Sequence, residues 1–283
     1  MNKNLHRIIF NAARGMRMVV QETARSAGKA PGSTAGTLGV ALAALLGAVP
    51  TQGQIVGARN VPGNQRPQVL TAPNGVPLVN IATPSAAGVS RNVYSRFDVE
   101  TQGAILNNSR TGAQTQLGGD VQGNPWLAKD AARVILNEVN SGNPTQLQGY
   151  IEVAGQRAEV VVANPAGIAV SGGGFINASR ATLTTGVPQL GALGGIEGFS
   201  VQGGAVSVDG RGLDFSTTDY AAIYARAVQL NAGVWANELK VATGANQISA
   251  EGEQLSQIAA NGGSPAFALD VAALGGMYAA RSP

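Results

Sequence analysis

Apolar positions in this chain fall in short runs separated by turn-forming residues, most clearly at 149–179, GYIEVAGQRAEVVVANPAGIAVSGGGFINAS. Four runs (150–153, 158–163, 167–170 and 175–178) follow one another with only a few residues between them. None is long enough for a helix. Their β-branched content, punctuated by Gly and Asn-Pro, predicts strands that turn a corner about every seven to nine residues. That rhythm suits a β-solenoid.

The sharpest predicted corner is Asn164-Pro165-Ala166-Gly167-Ile168. The residue before a proline is pushed out of the helical region, and an Asn amide can bond a backbone group two residues on. Pro165 presets φ for a turn, and Gly167 tolerates whatever φ remains. Asn124-Pro125-Trp126-Leu127 repeats the device and leads into ARVILNEV at 132–139. Helix and strand patterns compete at 130–140, and Val134-Ile135-Leu136 followed by Asn137 favours strand. From 93 to 100 the alternation places Val93, Ser95, Phe97 and Val99 on the core side and Tyr94, Arg96, Asp98 and Glu100 on the other. Asn107 and Asn108 either stack as a ladder on neighbouring coils or make an Asn-rich turn.

Prolines at 62, 67, 73, 77 and 84 exclude helix and central strands from 54–88. An open solenoid end offers unpaired N–H and C=O groups to other chains, so this segment is assigned as an N-terminal cap. Runs from 199 to 244 continue at solenoid spacing, with a short helix as the alternative at 219–229 and corners at 231–233 and 243–246. At 20 to 25 residues per coil, the 54–283 segment predicts about nine or ten coils and a rod about 45 Å long.

Composition narrows this picture. With 44% hydrophobic residues, 12% charged, 39 Gly and only 5% aromatic in 283 residues, the chain is a folded one with a core of small and β-branched side chains. Cysteine is absent, so thiol chemistry and disulfides are excluded together. The twelve-residue apolar run 38–49 is too short to span a bilayer and has the length of a signal-peptide core. Lys3, Arg7, Arg14, Arg17, Arg25 and Lys29 precede it against Glu22 alone. Small residues at Thr51 and Gly53 place cleavage before Gln54. Removing 1–53 turns a net charge of +3 into −2, leaving 13 basic against 15 acidic residues, so the basicity implies no nucleic acid partner.

The sole histidine, His6, precedes that cleavage point, so the remainder cannot hold a Ser-His-Asp triad or an ordinary zinc site. Carboxylate chemistry would rest on Asp209, Arg211, Asp214 and Asp219, a cluster that reads first as solvated turns. Gly172-Gly173-Gly174 reads as a coil corner, because no Lys-Ser/Thr follows it and Phe175-Ile176 continues as strand. No enzyme activity, cofactor or metal is expected.

Together, Asn-Pro-x-Leu at 124–127, VILNEV at 134–139, VAGQRAEVVVANPAGI at 153–168 and GFINASRATLTTG at 174–186 resemble the two-partner secretion domain of the filamentous haemagglutinin and contact-dependent growth inhibition exoprotein family. This domain is also called the haemagglutination activity domain. MNKNLHRIIFNAARGMRMVVQE at 1–22 is similar to the extended signal-peptide region of large exported proteins of Gram-negative bacteria.

The resemblance implies an all-β fold, a right-handed parallel β-helix with an N-terminal cap and short extra-helical strands. The expected domains are an extended signal peptide at 1–53, the cap at 54–88 and the β-helix secretion domain at 89–283. It implies export through the periplasm to the cell surface or medium, and a partner outer-membrane β-barrel transporter with periplasmic recognition domains. A host or neighbouring-cell surface would be a second partner, and the whole would serve adhesion, haemagglutination or growth inhibition. The implied secretion motifs are Asn124, Pro125, Leu127, Asn164, Pro165, Gly167 and Ile168. Many growth-inhibition relatives carry a Cys pair at the positions of Val170 and Gly173, and this chain has neither. The alternative function is a free-standing β-helical adhesin or carbohydrate-binding protein. Because 267–279 still reads as solenoid before Pro283, a longer protein with a self-associating end here is expected.

Overall fold

The structure, a computed structural model, describes residues 6–11, 16–21, 55–263, 265–272 and 275–279. The chain divides into two units, Met1–Ala48 and Val49–Pro283. In the first, His6–Asn11 pairs antiparallel with Met16–Gln21. The apolar run 38–49, the cleavage position before Gln54 and the last residues, 280–283, lie outside the described residues.

In the second unit the chain visits three sheets in turn. The first sheet holds Val89–Phe97, Val134–Val139, Ala158–Ala163, Ala178–Thr184, Tyr220–Ala225 and Leu239–Thr243, each parallel to the next. The second holds Thr145–Leu147, Ile168–Val170, Ala205–Val208, Ala227–Leu230 and Leu269–Val271. The third holds Ala104–Asn108, Tyr150–Gly155, Gly173–Ile176, Leu213–Phe215, Gly233–Ala236 and Gly276–Ala279. A lone bridge from Val99 to Leu147 completes the first turn. This is a parallel β-helix.

It has six coils among the described residues, where spacing predicted nine or ten. Five steps at about 4.8 Å give a rise of about 24 Å. The missing coils are consumed by excursions. Val187–Leu190 and Ile196–Val201 leave the helix as a hairpin, Asn246–Ser249 and Leu255–Gln257 as another, and together they form a four-stranded antiparallel sheet. The run at 199–202 therefore belongs to that outer sheet and is not a coil step. The helix alternative at 219–229 is replaced by strands Tyr220–Ala225 and Ala227–Leu230.

The outer sheet explains a sequence feature. Inward residues Ile135, Val160, Val162, Leu183 and Ile223 of the first sheet lie in the central core. Outward residues Leu136, Val161, Ala222 and Tyr224 pack with Phe199, Val201 and Ile248 of the outer sheet. A parallel sheet buried on both faces needs nearly continuous apolar runs, which is what VIL, VVV and AAIY supply. In several short steps of the second and third sheets the middle residue, such as Ala169, Ser207 or Asp214, is only half-buried between buried neighbours, so those steps alternate.

At the N-terminal end, Ile55–Gly57 runs antiparallel to Val89–Phe97, and Gln68–Thr71 pairs antiparallel with Pro77–Asn80, which lies parallel beside Ala104–Asn108. The expected alternation at 93–100 fails at Ser95. The Ile55–Gly57 pairing shifts register there, so Tyr94 is buried in the core with Phe97 and Val99 while Ser95 is exposed. The Tyr94 hydroxyl donates to Asn137 Oδ1 at 3.0 Å, which makes its inward position tolerable. The amide pair 107–108 splits its roles. Asn107 Nδ2 donates to Asn80 Oδ1 at 2.8 Å and Asn80 Nδ2 to Gln68 Oε1 at 3.0 Å, a ladder across three strands. Asn108 instead clamps the backbone N–H and C=O of Ala132, at 2.7 and 2.9 Å.

Candidate functional site

The two Asn-Pro corners share one construction. At 124–127, Asn124 Oδ1 accepts the Trp126 N–H at 3.0 Å, and the Leu127 N–H closes the turn onto the Asn124 carbonyl at 3.1 Å. At 164–168, Asn164 Oδ1 accepts the Ala166 N–H at 2.9 Å, and the Gly167 N–H closes onto the Asn164 carbonyl at 3.0 Å. Pro supplies φ at the second position and has no N–H to satisfy. Both Asn side chains are buried, both prolines are exposed, and the chain then drives Leu127 or Ile168 into the central core. Gly167 sits at φ 122°, and a Cβ there would come within 3.1 Å of the Ala205 carbonyl oxygen, so any larger residue is strained.

What the two amides reach differs. Asn124 Nδ2 donates to the carbonyls of Ile81 and Asn107, both at 2.9 Å, tying the N-terminal segment to the end of the first coil. Asn164 Nδ2 donates to the Asn143 carbonyl and to Thr145 Oγ1, both at 3.0 Å, tying one coil to the coil before it. Asn143-Pro144-Thr145 is thus part of the second corner. Sequence reading missed it, although an Asn-Pro step 21 residues before Asn164, close to one coil length, was the available signal. Glu152 was missed as well. It is a buried carboxylate whose oxygens accept the Gln116 and Leu117 N–H groups at 2.7 and 2.8 Å, pinning the hairpin Ala113–Thr115/Gly119–Val121 on the third sheet.

The acidic cluster is not brought together as a unit. Asp219 pairs with Arg157 at 2.8 Å, and Asp209 accepts from Asn231 Nδ2 at 2.7 Å. Arg211 and Asp214 line one cavity, together with Gly172 and Gly173. Asp214 accepts the Tyr150 hydroxyl at 2.7 Å and the Ser216 N–H at 2.8 Å. Partial burial pushes the Asp214 carboxyl up, and the hydrogen bonds from Ser216 and Tyr150 outweigh it and hold it below the usual range. The Tyr150 hydroxyl is raised, first by that bond to Asp214 and then by burial. Among the described residues no His, Cys, Asp and Glu group could hold a metal ion. At Val170 and Gly173, a Cβ on Gly173 would stand 3.0 Å from Val170 Cγ1, so the two positions are already closely packed.

Residues 53–282 match the family model of the TPS secretion domain, and residues 1–51 match that of the Extended Signal Peptide of Type V secretion system. Toxin CdiA of Yersinia pestis is 51% identical across 99% of this chain and 9% of its own length. The tRNA nuclease CdiA-2 of Burkholderia pseudomallei (strain 1026b) is 47% identical across 99% of this chain and 10% of its own. This chain therefore spans about a tenth of the length of these curated relatives. The crystal structure of the filamentous hemagglutinin secretion domain matches with a TM-score of 0.72 and 36% identity, over 80% of this chain and 76% of that one. With an extended signal peptide ahead of a β-helix whose Asn-Pro corners are folded into the core, the chain belongs to the TPS secretion domain family and is exported through the periplasm by type V secretion.

Proposed function

We propose that this chain is the leader and secretion module of a contact-dependent growth inhibition exoprotein. Residues 1–53 are removed during export, 54–88 cap the β-helix, and 89–283 form the secretion domain. An outer-membrane β-barrel transporter recognises the module through its periplasmic domains, and folding outside the cell begins at the two corners. Asn124, Pro125, Leu127, Asn164, Pro165, Gly167 and Ile168 act as the secretion motifs by setting those corners. The module works by being recognised and by folding, without catalysis of its own.

The observation that carries this reading is the shared build of the corners: a buried Asn bonded across strands, an exposed Pro, and an apolar residue delivered to the core. The growth-inhibition assignment, over haemagglutination, rests on CdiA-named relatives about half identical along the whole chain. In cells carrying the transporter, Asn164→Ala should reach the periplasm at parental level and appear outside at a lower level. Equal extracellular yield of variant and parent would refute the role. N-terminal sequencing of the secreted material should read from Gln54 or within a few residues of it, and retention of Met1 would overturn the processing.

A further inference from the structure

Neither corner uses the outer face of the third sheet. There the pairing register aligns Tyr150, Gly174, Asp214, Trp235 and Tyr278 in one outward column. Toward the N-terminal end this sheet is covered, with Ile105 and Ala154 packed beneath Val76 and Val121. Along the column it is open: Trp235 is 43% exposed and Tyr278 57%, far more than a core aromatic allows. Single exposed aromatics need no explanation, but these two are adjacent and paired. Tyr278 stacks on Trp235 at 6.2 Å with 15° between the rings.

Beside the stack lies a cavity of about 420 Å³ lined by Tyr150, Gly172, Gly173, Arg211, Asp214 and Trp235, together with Ser216. That volume is within the roughly 300–1,000 Å³ of small-molecule sites. Glycine at 172 and 173 leaves room for it: a Cβ on Gly172 would stand 2.7 Å from Arg211 Nε. Tyr278 stacks from the following rung, so the cavity meets the Trp235 ring from the Asp214 side.

The polar groups are set in advance. Each Asp214 oxygen accepts one hydrogen bond, from Tyr150 or from the Ser216 N–H, which fixes the carboxylate and leaves further lone pairs free. Arg211 donates one N–H to the Gln148 carbonyl at 3.0 Å, and among the described residues it forms no ion pair. An aromatic face with a fixed acceptor and a fixed donor beside it suits a ring that has a C–H face and adjacent hydroxyls on its rim. An anion would meet the Asp214 charge, a cation the Arg211 charge, and a purely apolar ligand would leave both unpaired.

We propose that this groove binds a neutral hexose oligosaccharide. One sugar ring stacks on Trp235, and its hydroxyls donate to Asp214 and accept from Arg211. This would give the module a glycan-binding activity of its own, independent of how it is secreted.

The test titrates the full chain carrying Trp126→Phe, which leaves Trp235 as its sole tryptophan. Maltohexaose, cellohexaose, β-1,4-galactotetraose and a heparin hexasaccharide are added while tryptophan emission is followed. The expected result is a saturable change with at least one neutral oligosaccharide. It should weaken at least tenfold in Arg211→Ala and in Asp214→Asn, whose unfolding midpoints stay at the parental value. Calorimetry should find no binding by Trp235→Ala. Three results would each overturn the proposal: no saturable change with any neutral oligosaccharide up to about 10 mM, a response to heparin alone, or parental affinity in both exposed-site variants.

Discussion

The corner at Asn124 and the corner at Asn164 use the same device at two different joints of the molecule. Each accepts a backbone N–H two residues on, each exposes its proline, and each ends on a buried apolar side chain, Leu127 or Ile168. At Asn124 both donated bonds end on buried carbonyls, one of them Ile81 in the N-terminal segment. At Asn164 one bond ends on the buried Thr145 hydroxyl and the other on the partly exposed Asn143 carbonyl of the preceding coil. The first corner attaches what precedes the β-helix, and the second stacks the helix on itself. A local motif fixes the turn; the strand it meets decides what the turn holds.

The largest effect should come from the apolar residue each corner delivers. Leu127→Ala empties a fully buried site and should lower unfolding free energy by about 4 kcal/mol, read from urea denaturation. Next comes Asn124→Ala, expected to cost about 3 kcal/mol because it strands two buried carbonyls. In that variant, faster amide exchange should concentrate at 55–82, and uniform acceleration along the helix would erase the distinction between the corners. Asn164→Ala should cost less, about 2 kcal/mol, since water can reach the Asn143 carbonyl. Its exchange should quicken at 143–147 and 164–170. Smallest is Trp126→Ala, whose side chain is half exposed: the unfolding free energy should stay within about 0.5 kcal/mol of the parent. A larger shift would mean that the exposed rim of the first corner also bears on folding.

Much of this was legible in the linear chain. The first three runs at 149–179 lie on strands Tyr150–Gly155, Ala158–Ala163 and Ile168–Val170, the fourth follows Gly173–Ile176 only as far as Ile176 before Asn177 turns the chain into Ala178–Thr184, and the Asn164 turn forms the bond its Asn-Pro step predicts. These features depend on residues within one coil. The coil number was not legible, because 187–201 and 246–257 have ordinary strand patterns and only pairing shows that they lie outside the helix. The reversal at Tyr94 was equally hidden, since it comes from a register shift against Ile55–Gly57, some 40 residues earlier.

By itself, then, the sequence determined strand positions, corner chemistry and the small-residue character of the core, all set by φ preferences and side-chain period over a few residues. Tertiary structure alone decided which residues separated by a whole coil share a surface. It put Asn143 beneath Asn164, and it joined Gly172 and Gly173 to Arg211, Asp214 and Trp235. The physical reason is that a β-helix places coils of unequal length side by side. Residues about 20 to 60 positions apart thus become neighbours at strand spacing, and no local rule fixes that offset.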